Sequence, residues 1–173
     1  MASCNDDETS APHKVPQAKV LRTAVASGVY TTTQGLSIDM FGLSAKLGQQ
    51  ENQKIEVKAL TDSTISLHFP AYDVPLVGDF PYSNAAQKEY QLDKVVVKFQ
   101  PDGTMSFASK VKIETVFQMT PAKMKKDDIP YRTFPDTPIS YEGTIKGKEL
   151  TVKITAQPGK MPFPVTYNYV GQK

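Results

Sequence analysis

Residue types that could carry catalysis are few and scattered along the chain. The two histidines, His13 and His68, have no second histidine or nucleophilic serine motif beside them, so neither a metal site nor a catalytic triad is predicted. Carboxylates are more numerous, but a retaining glycosidase needs two carboxyl groups about 5–5.5 Å apart, and sequence spacing brings no two together. We interpret these carboxylates as ordinary surface charges: Asp39, Asp73, Asp79, Glu114 and Glu142. The sequence therefore predicts a protein that is not an enzyme, with no catalytic residue, metal or cofactor.

The single cysteine, Cys4, rules out an intramolecular disulfide and a zinc site built from cysteine pairs. Ala2 and Ser3 precede it, and the acidic run Asn5–Glu8 follows. Two small residues before a cysteine resemble the end of a bacterial lipoprotein signal, and the acidic run resembles the surface-export signal of Bacteroidetes lipoproteins. The charged and apolar parts of such a signal are missing from this sequence. We predict that Cys4 is lipidated; the alternative is a chance cysteine in a polar terminus.

Composition excludes several classes of function. The net charge of +2 and pI near 8.5 of the 173 residues are too mild for a nucleic-acid-binding protein, and the lysines are scattered along strands rather than gathered in a stripe. No apolar run approaches the ~20 residues of a membrane-spanning helix. We expect contact with a membrane through the lipid anchor only. The oligomeric state is not predicted.

Alternating hydrophobicity along the chain indicates the secondary structure and the fold. In Ile139–Ala156, apolar and polar residues alternate on both sides of Gly147, which predicts an antiparallel hairpin with one buried face. Similar alternation recurs in further segments: 28–40, 54–69, 90–99, 104–119 and 163–169. We predict an all-β fold, an antiparallel meander of about eight strands closed into a barrel, with a sandwich as the alternative.

The remaining segments interrupt this pattern. Residues 1–26 are predicted to be a disordered tether, and residues 27–173 the barrel domain. Residues 42–52 are expected to be a connection, with a possible short helical turn at 43–47. A short irregular edge strand is expected around 74–82. The proline-rich segment Thr120–Pro138 is predicted to be the one long loop.

Two sets of aromatic and apolar residues are candidate binding sites. The first set faces inward and either fills the barrel or lines a mouth for a ligand: Met105, Phe107, Phe117, Tyr141, Tyr167 and Tyr169. The second set comes from the proline-rich segments and could form an exposed patch for a glycan or a partner protein: Tyr72, Phe80, Tyr82, Tyr131 and Phe134.

Several strand and turn motifs, in this order, resemble a known family: Gly28–Tyr30, Ile65–Phe69, Val77–Phe80, Asp102–Phe107, Tyr141–Val152 and Met161–Tyr167. They are similar to the calycin-like β-barrel domain of Bacteroidetes lipoproteins, over Ser27–Gly171. Calycins in the wider sense, such as lipocalins, are carriers of small molecules. For this bacterial branch the resemblance implies no established activity.

We therefore predict a non-enzymatic lipoprotein of the cell envelope, at the outer membrane, with surface exposure suggested by the acidic run. Its barrel is expected to bind a small, partly apolar ligand at a mouth gated by the Thr120–Pro138 loop. The alternative is an interaction module that docks a partner protein or glycan through its loops, with a filled barrel inside.

Overall fold

The structure is a computed structural model that describes residues 20–40, 43–78, 81–161 and 163–173. Within these residues, two short 3-10 helices, Arg22–Ala26 and Lys126–Asp128, accompany eleven strands. The strands are β1 Gly28–Met40, β2 Leu43–Ala59, β3 Thr64–Phe69, β4 Tyr72–Pro75, β5 Tyr82–Gln87, β6 Tyr90–Val96, β7 Lys98–Phe99, β8 Met105–Pro121, β9 Arg132–Lys146, β10 Glu149–Ala156 and β11 Val165–Gln172. No helix in the described ranges is long and apolar enough to cross a membrane.

All strands belong to one antiparallel sheet that curls into a half-barrel. Ten of them follow the order β4-β5-β8-β9-β10-β11-β1-β2-β3-β6. The two-residue strand β7 follows β6 after Val97 and pairs with the start of β8, where Lys98 opposes Ser106 and Phe99 opposes Met105. This short ladder brings the β6 edge of the curled sheet to β8, although no ladder joins β4 to β6 among the described residues.

The all-β, antiparallel, barrel-like class is confirmed, but the predicted count of about eight strands is too low. The excess comes from β8, whose seventeen residues have different neighbours at their two ends. Its first residues pair with β7, and its last residues, Phe117–Pro121, pair with β5. Two short strands therefore share one edge of a long strand, a division that the alternation of a single segment does not reveal.

Two predicted connections turn out to contain strand. Residues 43–52, expected to be a connection, are the first part of β2, paired with β1. The alternation was obscured there because the β1–β2 register shifts twice, between Thr32 and Gln34 and between Leu36 and Ser37. The expected loop Thr120–Pro138 is also shorter, because β8 runs to Pro121 and β9 begins at Arg132. Likewise, the expected edge strand is a hairpin of β4 and β5.

The buried core lies on the concave face of the curled sheet. The predicted hairpin is present as β9 and β10, and its inward residues are buried: Ile139, Tyr141, Ile145, Leu150, Val152, Ile154 and Ala156. The first helix, expected to be part of the tether, packs on the barrel through buried Thr23 and Ala26. The predicted boundary at residue 26 therefore lies inside folded structure.

The barrel has two distinct ends. At the tail end, the start of β1 lies beside the end of β11, since Thr31 opposes Gln172. At the mouth end, the last inward residue of β1 described here, Ile38, lies near the end of β8 and the start of β9. With a rise of about 3.3 Å per residue, the thirteen residues of β1 extend about 40 Å between them.

Candidate functional site at the mouth of the barrel

An apolar cleft of about 610 Å³ opens at the mouth end. Its walls come from the ends of β1, β5, β8 and β9, the 122–131 loop, and the segment before β11. The lining residues are Ile38, Pro81, Tyr82, Phe117, Gln118, Met119, Pro121, Ile129, Pro130, Arg132, Phe134, Met161 and Phe163. A cleft of this size and composition resembles the sites that proteins use for small organic ligands.

Strand pairing explains why these side chains meet. Phe117 of β8 directly opposes Arg132 of β9, and residues that oppose each other in an antiparallel pair lie on the same face. Met119 lies two residues beyond Phe117 and so shares that face. Phe134 shares it from β9, and its ring packs so closely on Gly159 that a Cβ there would lie 2.5 Å from a ring carbon. Gly159, with φ of +60°, thus lets the segment before β11 close one wall.

The buried amide of Gln118 holds the 122–131 loop over the cleft. Its Nε2 donates to the backbone oxygens of Ile129, at 2.6 Å, and Lys126, at 3.1 Å. The backbone N–H of Ala122 donates to the oxygen of Pro81 at 2.9 Å. These bonds place Ile129 and Pro130 on the cleft wall. The alternating pattern of β8 places Gln118 on the opposite face from Phe117 and Met119, and it cannot reveal this role because the partners of Gln118 come from a non-repetitive loop.

Two surface interactions add to this attachment. Lys126 Nζ lies 2.8 Å from Asp73 Oδ2, and Lys88 Nζ lies 4.2 Å from the centre of the Tyr131 ring. Partial burial raises the pKa of Asp73, but hydrogen bonds from Lys126 and Asn84 outweigh it, so the pKa lies below its usual value. Both partners of the ion pair are about half exposed, and solvent screening makes such pairs weak contributors to stability. Gln118 is therefore the stronger attachment.

All six residues of the predicted inner-face set are buried, with exposed fractions of 5% or less. Among them only Phe117 lines the cleft. The others belong to the core, where Tyr167 and Tyr169 form hydrogen bonds. Tyr72 donates to the Tyr167 hydroxyl, which donates to Gln87 Oε1, each at 2.9 Å. The hydroxyls of Tyr90 and Tyr169 are 3.1 Å apart.

The predicted exposed patch is only partly formed. Tyr72 is 2% exposed and belongs to the core, because it lies on the buried face of β4. Its assignment to the exposed patch is therefore wrong. Phe80 lies outside the described residues. Tyr82 and Tyr131 are more than a third exposed, and Phe134 is half-buried. Tyr82 and Phe134 line the cleft beside Phe117, so members of the two predicted sets meet at one site.

Other candidate groups lie elsewhere. Cys4, His13 and Asp79 lie outside the described residues. His68 is on the barrel surface, with Nε2 3.7 Å from Glu89 Oε2. Within the ranges that the structure describes, no group of three or more histidine, cysteine, aspartate or glutamate side chains could hold a metal ion.

A family model, the calycin-like beta-barrel domain, matches residues 26–172. The chain belongs to this calycin-like family. Its calycin-like barrel is also similar to the crystal structure of a candidate outer membrane protein from Bacteroides fragilis, with a TM-score of 0.60 at 17% identity. That likeness covers 90% of this chain and 54% of the other, and at such low identity it shows the fold alone. No curated protein sequence matches this calycin-like chain.

Proposed function

We propose that this calycin-like domain is a non-enzymatic binding protein of the cell envelope, which holds a small, partly apolar ligand in the cleft at the mouth. The observation that carries the proposal is the cleft itself, about 610 Å³ in volume and walled mainly by apolar side chains. Ligand sites of 300–1,000 Å³ with few polar groups are typical of small-molecule binding proteins.

The distribution of burial supports the mouth rather than the centre as the binding site. The centre is filled by the tyrosines and by residues such as Phe69, whose ring stacks on Tyr90 at 4.8 Å. The mouth, in contrast, is covered by a loop that is attached mainly by side-chain hydrogen bonds. A ligand could enter if this loop moved, without breaking the barrel ladders.

Filling the cleft tests the proposal. Ile129→Trp adds a large ring to the cleft wall on a loop that tolerates change better than a strand. Val170→Trp is the matched control, because Val170 is 58% exposed on β11. Native mass spectrometry after exposure to envelope lipid and glycan extracts should show a discrete adduct on the wild type and the control but not on Ile129→Trp. A bare mass for all three proteins, or an adduct that persists on Ile129→Trp, would contradict the proposal.

We also propose that the protein is attached to the envelope through a lipid on Cys4. Support comes from the small residues before Cys4 and the acidic run after it, and from the likeness to a candidate outer membrane protein. Cells that express the full-length protein and its Cys4→Ala variant should be labelled with a fatty-acid probe. We expect label on the wild type only; equal labelling of both would contradict lipidation.

A second candidate function is docking of a partner protein or glycan on the loops. The observation in its favour is the exposure of Tyr131 and Met124 on the 122–131 loop, beside a filled barrel centre. Under this alternative, Tyr131→Ser would abolish partner binding, whereas Ile129→Trp would leave the partner-facing surface in place. Under the leading proposal, Ile129→Trp would abolish ligand binding in the cleft, whereas Tyr131→Ser would leave it in place.

A further inference from the structure

The charge of the cleft wall is carried by one residue. Among the described lining residues, Arg132 is the only charged side chain, and the rest are apolar, aromatic or the amide Gln118. Arg132 is exposed, at the first position of β9, and forms no salt bridge with any residue that the structure describes. The cleft therefore offers an unpaired cation beside an apolar surface.

The neighbouring charges do not supply a counter-ion. The nearby basic residue Lys126 is already paired with Asp73, on the outside of the barrel. Asp127 and Asp128, on the same loop, do not line the cleft. Arg132 directly opposes the buried ring of Phe117, so a molecule seated on that ring would have the guanidinium beside one of its ends.

We propose that the ligand is an amphipathic carboxylate, with its hydrocarbon part against Phe117 and its neighbours and its carboxylate on Arg132. This inference rests on the proposed function and specifies its ligand class. A guanidinium presents several N–H donors in a plane and can bind a carboxylate through two parallel hydrogen bonds. An alcohol of the same chain length would gain less from Arg132, and an alkylammonium ion would be repelled by it.

Three probes of equal chain length test this class: decanoate, 1-decanol and decyltrimethylammonium. Each is titrated calorimetrically into the full chain, the two ions below the concentration at which they form micelles and 1-decanol below its solubility limit. We expect decanoate to bind about tenfold more tightly than 1-decanol, the difference that one charge-assisted hydrogen-bonded pair typically makes. Decyltrimethylammonium should bind most weakly.

Variants assign the preference to Arg132. Arg132→Gln should weaken decanoate binding about tenfold and leave 1-decanol binding unchanged, whereas Arg132→Lys should retain much of the preference. Lys148→Gln removes a positive charge at the tail end and is the control for net charge, since Lys148 lies in the turn between β9 and β10. It should not alter the affinity for decanoate.

The outcomes separate the two proposals. If the three probes bind equally, or if Arg132→Gln leaves the preference for decanoate intact, the carboxylate inference is overturned while binding in the cleft stands. If no probe binds, or if Ile129→Trp binds all three like the wild type, the cleft is not the site and both proposals fail.

Discussion

Four buried tyrosine hydroxyls give the barrel interior a polar layer. Tyr72, Tyr90, Tyr167 and Tyr169 are each no more than 6% exposed, and each is hydrogen-bonded to another of them. A buried hydroxyl without a hydrogen-bond partner costs about 1–3 kcal/mol. These pairs therefore stabilise the fold mainly because they avoid that cost. They also fix which rings face each other, because a shifted strand would separate the hydroxyls.

Two single substitutions should distinguish the middle of this network from its end. Tyr167→Phe removes a hydroxyl that accepts from Tyr72 and donates to Gln87, so two buried groups lose a partner. We expect it to lower the free energy of unfolding by about 2–3 kcal/mol, against about 1 kcal/mol for Tyr72→Phe. Urea unfolding followed by circular dichroism measures both. Equal losses of unfolding free energy in the two variants would show that Tyr167 does not link Tyr72 to Gln87.

For these tyrosines, the sequence predicted burial in part but not the hydrogen-bond partners. Alternation along β11 correctly placed Tyr167 and Tyr169 on the buried face, because a strand alternates its faces whatever its partners are. It could not reveal the partner of Tyr167, since Tyr72 lies 95 positions away in the sequence. For the same reason Tyr72, in a proline-rich segment without clear alternation, was wrongly predicted to be exposed.

Strands β2 and β4, which are not neighbours in the sheet order, approach each other closely at Gly48. A Cβ on Gly48 would lie 2.5 Å from Val74 Cγ1 and 2.7 Å from the backbone oxygen of Pro75. Beside this contact, the backbone N–H of Val77 donates to the oxygen of Leu47 at 2.7 Å. The β4–β5 hairpin can therefore lie against β2 only because residue 48 has no side chain. This contact closes the mouth end between β2 and β8.

We expect Gly48→Ala to destabilise the protein by about 1–3 kcal/mol, the usual cost of overpacking. Gly35→Ala is the matched control, because a Cβ there would meet only the backbone oxygen of Asn168, at an ordinary 3.9 Å. Urea unfolding gives the stabilities, and hydrogen exchange should show faster exchange in β4 for Gly48→Ala alone. Equal stabilities of the two variants would mean that β4 can move away from β2 without cost.

Elements with regular alternation were predicted from the sequence, and irregular ones were not. The β9–β10 hairpin was located from its pattern and its glycine turn. The first part of β2 was missed because register shifts place inward residues out of phase, as where Gln34 opposes Gln50 but Thr32 opposes Gln53. The cleft was foreseen only as a mouth beside a long loop. Its walls combine strand ends that come together solely through the closure of the sheet.

The tyrosine layer should make the folded protein less stable at alkaline pH. Burial raises the pKa of Tyr72, Tyr90, Tyr167 and Tyr169 above the ordinary tyrosine value of 10.0. Because the raised values belong to the folded state, this contribution to stability is fully present below about pH 10 and is lost as the pH rises further. These tyrosines should therefore ionise only when the barrel unfolds.

An alkaline titration measures this coupling. Absorbance at 295 nm reports tyrosine ionisation, and circular dichroism reports the sheet. We expect a cooperative rise in absorbance above pH 10 that coincides with loss of the sheet signal. Gradual ionisation of all eight tyrosines with the sheet intact would contradict burial of the layer.

The two ends of the barrel have a consequence for orientation. The described chain starts beside the tail end, whereas the cleft opens at the other end of β1, about 30 Å higher along the axis when the usual strand tilt is included. The segment that would carry the proposed lipid on Cys4 therefore joins the folded domain at the end opposite the cleft. Attachment to a membrane through that segment would leave the entrance of the cleft unobstructed by the anchor.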